Sequence, residues 1–342
     1  MKIIVENSTW NNLGDGFYQF ALFELLKRIY PNKEIYFGEG PVERAFRPKP
    51  KQLNNAFKAM DYEKADIHVL SGPMLATMSD HYINLIKNIQ SAGSSYALIS
   101  CSVAGLSGSR LEELKEFLKK YPPISFSSRD PYTYESLKDV IPNAYNGICT
   151  AFLVNKLLNI DTCTIGKKYF VSSFYRAPEP KFLSDKENPT IKDITLEARN
   201  GYLPFLPWKF NRHLEIYKKT QTSLGNLEII RTVQQVSTKS NNFNFKYPNS
   251  FITWNPLNLL SIFKGAEFTI SERVHACATT LAFGKPARIT YDNARSGIFS
   301  RFGYNYKAEN GFMSPDGLNE KIDLEMKLLS EYIKDSFDSV NI

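Results

Sequence analysis

The stretch Phe268-Thr269-Ile270-Ser271-Glu272-Arg273-Val274-His275-Ala276, running on through small residues to Gly284-Lys285-Pro286, contains a strand, a turn and a helix in immediate succession. Its apolar start reads as a short buried strand. Ser271 is the candidate N-cap of the helix, Gly284 suits a left-handed C-terminal cap, and Pro286 cannot continue the helix. In an open parallel sheet such a turn lies at the carboxyl end of a strand, where ligands bind, and the helix N-terminus offers N–H groups to an anion. Arg273 brings a permanent fork for phosphate or carboxylate, and His275 a group that exchanges protons near neutral pH. The residues alone leave a plainer reading open, in which Arg273 pairs with Glu272 or Asp292 and His275 only caps the helix.

The same alternation extends outward on both sides. Strands are predicted at Ile3–Val5, Glu34–Phe37, Asp66–Leu70, Tyr96–Cys101 and Ile124–Ser127, with helices at Gly16–Tyr30, His81–Ala92, Leu111–Tyr121 and Tyr132–Asp139. The rhythm restarts after Ile165-Gly166 with a strand at Tyr169–Ser173, and continues through Leu227–Val236, Leu257–Phe263, Phe268–Ile270 and Val274–Phe283. Ser237–Ser250 reads as a polar surface loop and Leu318–Ser336 as a closing helix. Strands alternating with helices predict parallel sheets covered on both faces. We expect an α/β chain of two Rossmann-like domains, residues 1–160 and 161–342, the first on the acceptor side of a cleft and the second on the donor side.

With 342 residues, 43% of them hydrophobic and 23% charged, the chain has the composition of a globular protein able to bury sizeable cores. No apolar run approaches the roughly 18 to 20 residues of a membrane helix. The opening residues Met1–Asn7 read as a buried strand rather than a signal peptide, so a cytoplasmic location is expected. Cys101, Cys149, Cys163 and Cys277 are widely spaced, which indicates neither a zinc site nor a disulfide framework. The net charge of +7, from 42 basic against 35 acidic residues, favours an anionic partner. Lysines scattered singly through amphipathic segments argue against a nucleic-acid groove.

Ser271-x-Arg273-x-His275 with the Gly284-x-Pro286 exit and Arg295 beyond it resembles the C-terminal signature of the polysaccharide pyruvyl transferase family. Asn12-x-Gly14-Asp15 resembles that family's Asn-x-Gly-Asp loop after the first strand. Ser128-Arg129-Asp130 resembles its Arg-Asp motif entering a helix, and Ala65-Asp66 with Ser71-Gly72 falls where a glycine-rich strand end is expected. This sequence departs from the pattern in three places: Leu70-Ser71-Gly72-Pro73 has one glycine where a pair is usual, Val274 and Ala276 replace Leu and Gly, and Arg295 replaces Lys.

The resemblance implies a GT-B-like fold and transfer of pyruvate from phosphoenolpyruvate to two hydroxyls of one sugar in a bacterial surface polysaccharide, giving a cyclic ketal. That chemistry calls for an acid to protonate the methylene carbon, cations around phosphate and carboxylate, and a base for the hydroxyls. His275 is the candidate acid and Asp15 the candidate base, although Asp15 also reads as a simple helix cap. Arg273, Ser271, Arg176, Arg295, Asn12, Gly14 and Arg129 are the candidate substrate-binding residues; Arg129-Asp130 also reads as a local salt bridge and cap. An aromatic, proline-rich stretch at Tyr202–His213 could stack a sugar or meet a lipid-linked acceptor at the inner membrane face, or simply pack between domains. His68 and His81 read as structural. No metal and no cofactor beyond the donor are expected. Two other readings stand: a glycosyltransferase using a nucleotide sugar, for which Glu267 or Glu272 would hold the ribose, and a non-catalytic glycan- or anion-binding protein.

Overall fold

The structure, a computed structural model, describes residues 1–8, 10–41, 46, 49–53, 64–77, 80–175, 177–197, 220–236, 245, 247–291, 293–305 and 311–339. Its first half builds a six-stranded sheet from β1 (Lys2–Glu6), β2 (Glu34–Gly38), β3 (Ile67–Gly72), β4 (Ser95–Cys101), β5 (Ser125–Ser128) and β6 (Tyr145–Asn146). The order is β2-β1-β3-β4-β5-β6 and every pairing is parallel. Strands β3 and β5 are buried along their whole length, the continuous burial of a sheet covered on both faces. Helix α1 (Leu13–Ile29) covers one face, while α2 (Asp80–Ser91) and α3 (Ser109–Lys120) send Leu85, Ile86, Leu114 and Leu118 into the core on the other. Helix α4 (Pro131–Leu137) follows β5.

The second half opens on β7 (Tyr169–Ser173), as the sequence predicts. A small antiparallel pair follows, β8 (Lys181–Leu183) with β9 (Thr195–Glu197). The second sheet is ordered β10-β11-β7-β13-β14-β15, from Ser223–Leu224, Leu227–Thr232, Tyr169–Ser173, Thr269–Ser271, Ala287–Ile289 and Phe312–Met313, with β12 (Ser250–Phe251) beside β11. Its centre, β11-β7-β13-β14, is parallel and its ends are antiparallel. Helices α5 (Pro256–Gly265) and α6 (Val274–Ala282) supply the crossovers. The expected strand Leu227–Val236 stops at Thr232, and the residues beyond it leave the sheet for the other half.

One core joins the halves. Phe17 and Leu13 of α1, Leu259 and Phe263 of α5, Ala276 and Leu281 of α6 and Phe152 belong to a single buried cluster. Phe17 and Phe263 meet edge to face at 6.0 Å between ring centres. A two-rung backbone ladder reinforces the junction: the Leu13 amide donates to the Gln234 carbonyl at 2.6 Å and the Val236 amide to the Asn11 carbonyl at 2.7 Å. Helix α7 (Leu318–Asp338) returns the chain to the first half, where the Tyr332 hydroxyl bonds the Phe126 backbone and Phe337 stacks on Tyr30. The sheets thus lie on either side of a cleft in a GT-B-like arrangement, with the carboxyl ends of both sets of strands turned toward it.

Candidate active site

The residues that line this cleft follow strand ends. Asn12 comes after β1, Gln234 after β11, Arg273 and His275 after β13, and Arg295 after β14, while Gly14 after β1 and Arg129 after β5 lie buried behind His275. In both sheets the order of successive strands reverses near here, at β1/β3 and at β7/β13, the crevices where open parallel sheets take ligands. The cleft encloses about 600 Å³, with Ala104, Ala177, Pro178, Tyr291 and Asn293 among the other residues of its walls.

On the first half, Asn12 is the N-cap of α1, its side-chain oxygen accepting the Gly14 amide at 3.2 Å. The expected helix start at Gly16 is therefore corrected to Leu13, and Asp15 is a first-turn residue rather than the cap. Asp15 is buried and receives the Asn12 side-chain amide at 3.2 Å. Gly14 carries no side chain because none fits: a Cβ there would stand 2.6 Å from Gln234 Oε1 and 3.2 Å from His275 Nδ1. Gly72, at the end of β3, has φ +81°, and a Cβ would meet the Tyr18 hydroxyl at 2.1 Å. Tyr18 in turn faces the His275 ring at 5.1 Å between centres.

The Arg129-Asp130 pair divides its work. Asp130 caps α4 through the Thr133 amide at 2.8 Å and also takes the Ser102 hydroxyl at 2.7 Å. Arg129 turns away from it and reaches the second half, its Nη1 3.2 Å from His275 Nε2. The local salt bridge is thereby corrected. Arg129 is 0% exposed, its Nε and Nη2 have no hydrogen-bond partner, and it makes no ion pair among the described residues. A charge removed from water without a counter-ion is costly, so such a group marks a place for an anion.

On the second half, Ser271 is corrected from helix cap to hinge of the turn. Its hydroxyl donates to the Ser173 carbonyl and accepts the Arg273 amide, both at 2.8 Å, while Arg273 itself is the N-cap residue. Glu272 accepts the amides of Tyr175 and Ala177 at 2.7 and 2.6 Å, fixing the loop after β7. Glu267 precedes β13 and so belongs to the sheet edge opposite the cleft. Arg273 is half-buried, 5.9 Å from the Tyr175 ring. His275 is 5% exposed, and burial first, then Arg129, Arg295 and Arg273, hold its pKa well below the usual histidine range. Burial also lowers Arg295, with Arg129 and Arg273 acting in the same sense and Asp15 opposing them.

Arg176 and Tyr202–His213 lie outside the described residues, as do Asp292 and the side chain of His81. His68 is buried and contacts Glu6 at 2.6 Å, the structural part expected of it. Sequence reasoning missed Gln234 and Tyr18. Gln234 is 2% exposed, its Nε2 has no partner among the described residues, and only the end of β11 could have signalled it. Among the described residues no group of three His, Cys, Asp or Glu could hold a metal ion, and no helix is long and apolar enough to cross a membrane.

A sequence model of the polysaccharide pyruvyl transferase family matches residues 12–292. No curated protein matches the chain in sequence. Among solved structures, it is similar to the UDP co-structure of MnaA from S. aureus, with a TM-score of 0.56, 10% identity, and 100% of this chain and 98% of that one covered. It is also similar to UDP-GlcNAc 2-epimerase from Methanocaldococcus jannaschii in complex with UDP-GlcNAc and UDP, with a TM-score of 0.50, 14% identity, and 97% and 100% covered. At these identities the likeness is one of fold.

Proposed function

The chain belongs to the polysaccharide pyruvyl transferase family, and on that premise we propose that it moves pyruvate from phosphoenolpyruvate to two hydroxyls of one sugar of a bacterial surface polysaccharide, forming a cyclic ketal. The observation that carries this reading is the fully buried Arg129, which makes no ion pair among the described residues and backs His275, the residue that shares the cleft with Arg273 and Arg295. Permanent cations around one proton-exchanging group match a donor that carries both phosphate and carboxylate.

In the reaction His275 protonates the methylene carbon, which becomes the methyl group. Positive charge develops on the neighbouring carbon. The first sugar hydroxyl bonds to that carbon, the carbon–oxygen bond to phosphate breaks, and the second hydroxyl closes the ketal. The two hydroxyl protons balance the one placed on carbon and the one carried off by phosphate. Arg273, Arg295 and Arg129 grip the donor, the Ser271 hydroxyl fixes the turn that presents Arg273, and Asp15 receives an acceptor proton. Gly14, held by Asn12, lets the start of α1 pack directly against Gln234 and His275 and so sets the position of the imidazole. Arg176 would add a further cation.

Because His275 is buried among cations, it is neutral in the free protein, and the donor's own negative charge must raise its pKa before it can act. No resident cofactor or metal enters this scheme. A lipid-linked acceptor and a peripheral membrane contact in the cytoplasm belong to the same reading. The test is incubation with phosphoenolpyruvate and cell-derived glycans, following phosphate release and a new ketal methyl signal by NMR. Transfer from a nucleotide sugar instead would replace it.

A further inference from the structure

We propose that Arg129 is a positioning residue that gates the protonation of His275: it holds the Nε2 lone pair until an anionic donor draws the guanidinium away, and only then does the imidazole take its second proton. This rests on the reading of His275 as the acid of pyruvyl transfer. A guanidinium has donors and no acceptor, so in the 3.2 Å contact Nε2 must accept. The imidazole is then neutral with its proton on Nδ1. That nitrogen faces the Gly14 backbone, whose hydrogen bond favours the N–H there.

The groups around His275 come from four elements. Arg129 follows β5, Arg295 belongs to the 3₁₀ segment Ala294–Phe302, and Arg273 caps the histidine's own helix. From α1 come the Gly14 backbone and the Tyr18 ring, with Asp15 acting on Arg295. Burial and the three arginines all oppose a charge on His275. The Nε and Nη2 of Arg129, without a hydrogen-bond partner among the described residues, form one edge of the guanidinium, the edge that meets a carboxylate or phosphate through two parallel hydrogen bonds. An anion on that edge competes with His275 for the arginine and offsets the repulsion. One proton then passes from water to Nε2, from there to the methylene carbon as the new C–H bond forms, and an acceptor hydroxyl replaces it.

The experiment is ¹⁵N NMR of the histidine-labelled full chain, with the His275 signals assigned by their loss in His275→Gln. In the free protein at pH 7 we expect the neutral ring with its proton on Nδ1. Phosphoenolpyruvate, or inorganic phosphate as a simpler probe, should convert it to the imidazolium at the same pH. In Arg129→Met the free ring should titrate at higher pH than in the wild type, and either probe should bind roughly 10- to 100-fold more weakly. The wild-type spectra decide even if that variant does not fold. A free-state ring that is already an imidazolium, that carries its proton on Nε2, or that neither anion changes, overturns the gate. Those results leave pyruvyl transfer intact if the ketal still forms. A gate that behaves as stated without ketal formation would instead remove the functional reading.

Discussion

Gly14 and Gln234, one opening the first helix and the other just past β11 in the second half, are packed so closely that a Cβ on Gly14 would lie 2.6 Å from the Gln234 side-chain oxygen. The same atom would press on His275 Nδ1 at 3.2 Å. Gly14→Ala should therefore displace the histidine. Misplacement by about 1 Å can cost ~10²-fold in rate, and overpacking adds about 1–3 kcal/mol of destabilisation. Steady-state kinetics beside urea unfolding would check this; wild-type turnover in a folded variant would show that the contact does not govern the site.

Replacing His275 by Gln should separate chemistry from binding. Loss of a general acid lowers kcat by roughly 10²- to 10⁴-fold, while calorimetric affinity for phosphoenolpyruvate should change little. Arg273→Ala should do the reverse and raise the donor KM, since its grip acts in ground and transition states alike. Equal losses of both parameters in both variants would merge the two roles.

How far this site was legible in the sequence follows from where its residues lie. His275 and Arg273 follow a recognisable strand and precede a recognisable helix, and the alternation of elements gave both parallel sheets. Arg129 also follows a predicted strand, but its neighbour Asp130 offered a local partner, and only tertiary packing shows the arginine crossing to a residue 146 positions away. Gln234 was hidden because its segment reads as the continuation of β11; the pull of the Asn11–Leu13 backbone that ends the strand early is a long-range effect. Asn12 rather than Asp15 caps α1 because the carbonyl of its side-chain amide reaches the Gly14 N–H, a choice among neighbouring polar residues that periodicity does not make.

Stability should fall in mild acid because of His275. Its pKa is depressed in the folded protein, so the unfolded chain binds a proton near pH 6.5 that the folded chain refuses. This contribution is intact above that pH and is lost as pH falls below it, until the folded pKa is reached. The loss accumulates as pH falls from about 7.5 to about 5.5. Urea titrations should show the wild type losing more stability than His275→Gln over the same interval; identical losses would mean that His275 titrates normally.

The shared core implies that the halves unfold together. Phe263→Ala removes a ring that meets Phe17 across the junction and should cost about 3–5 kcal/mol. Fluorescence and circular dichroism should report one coincident transition in wild type and variant. Two separated transitions would show that the junction does not couple the halves.

The most direct measurement of the central claim couples donor and acceptor in one tube. Purified protein, phosphoenolpyruvate labelled with ¹³C at its methylene carbon, and a cell-derived glycan should give stoichiometric phosphate and a ¹³C methyl resonance on a ketal, with neither product in His275→Gln beyond the residual rate. Phosphate release that leaves the label in free pyruvate, or ketal formation undiminished in His275→Gln, would contradict the account.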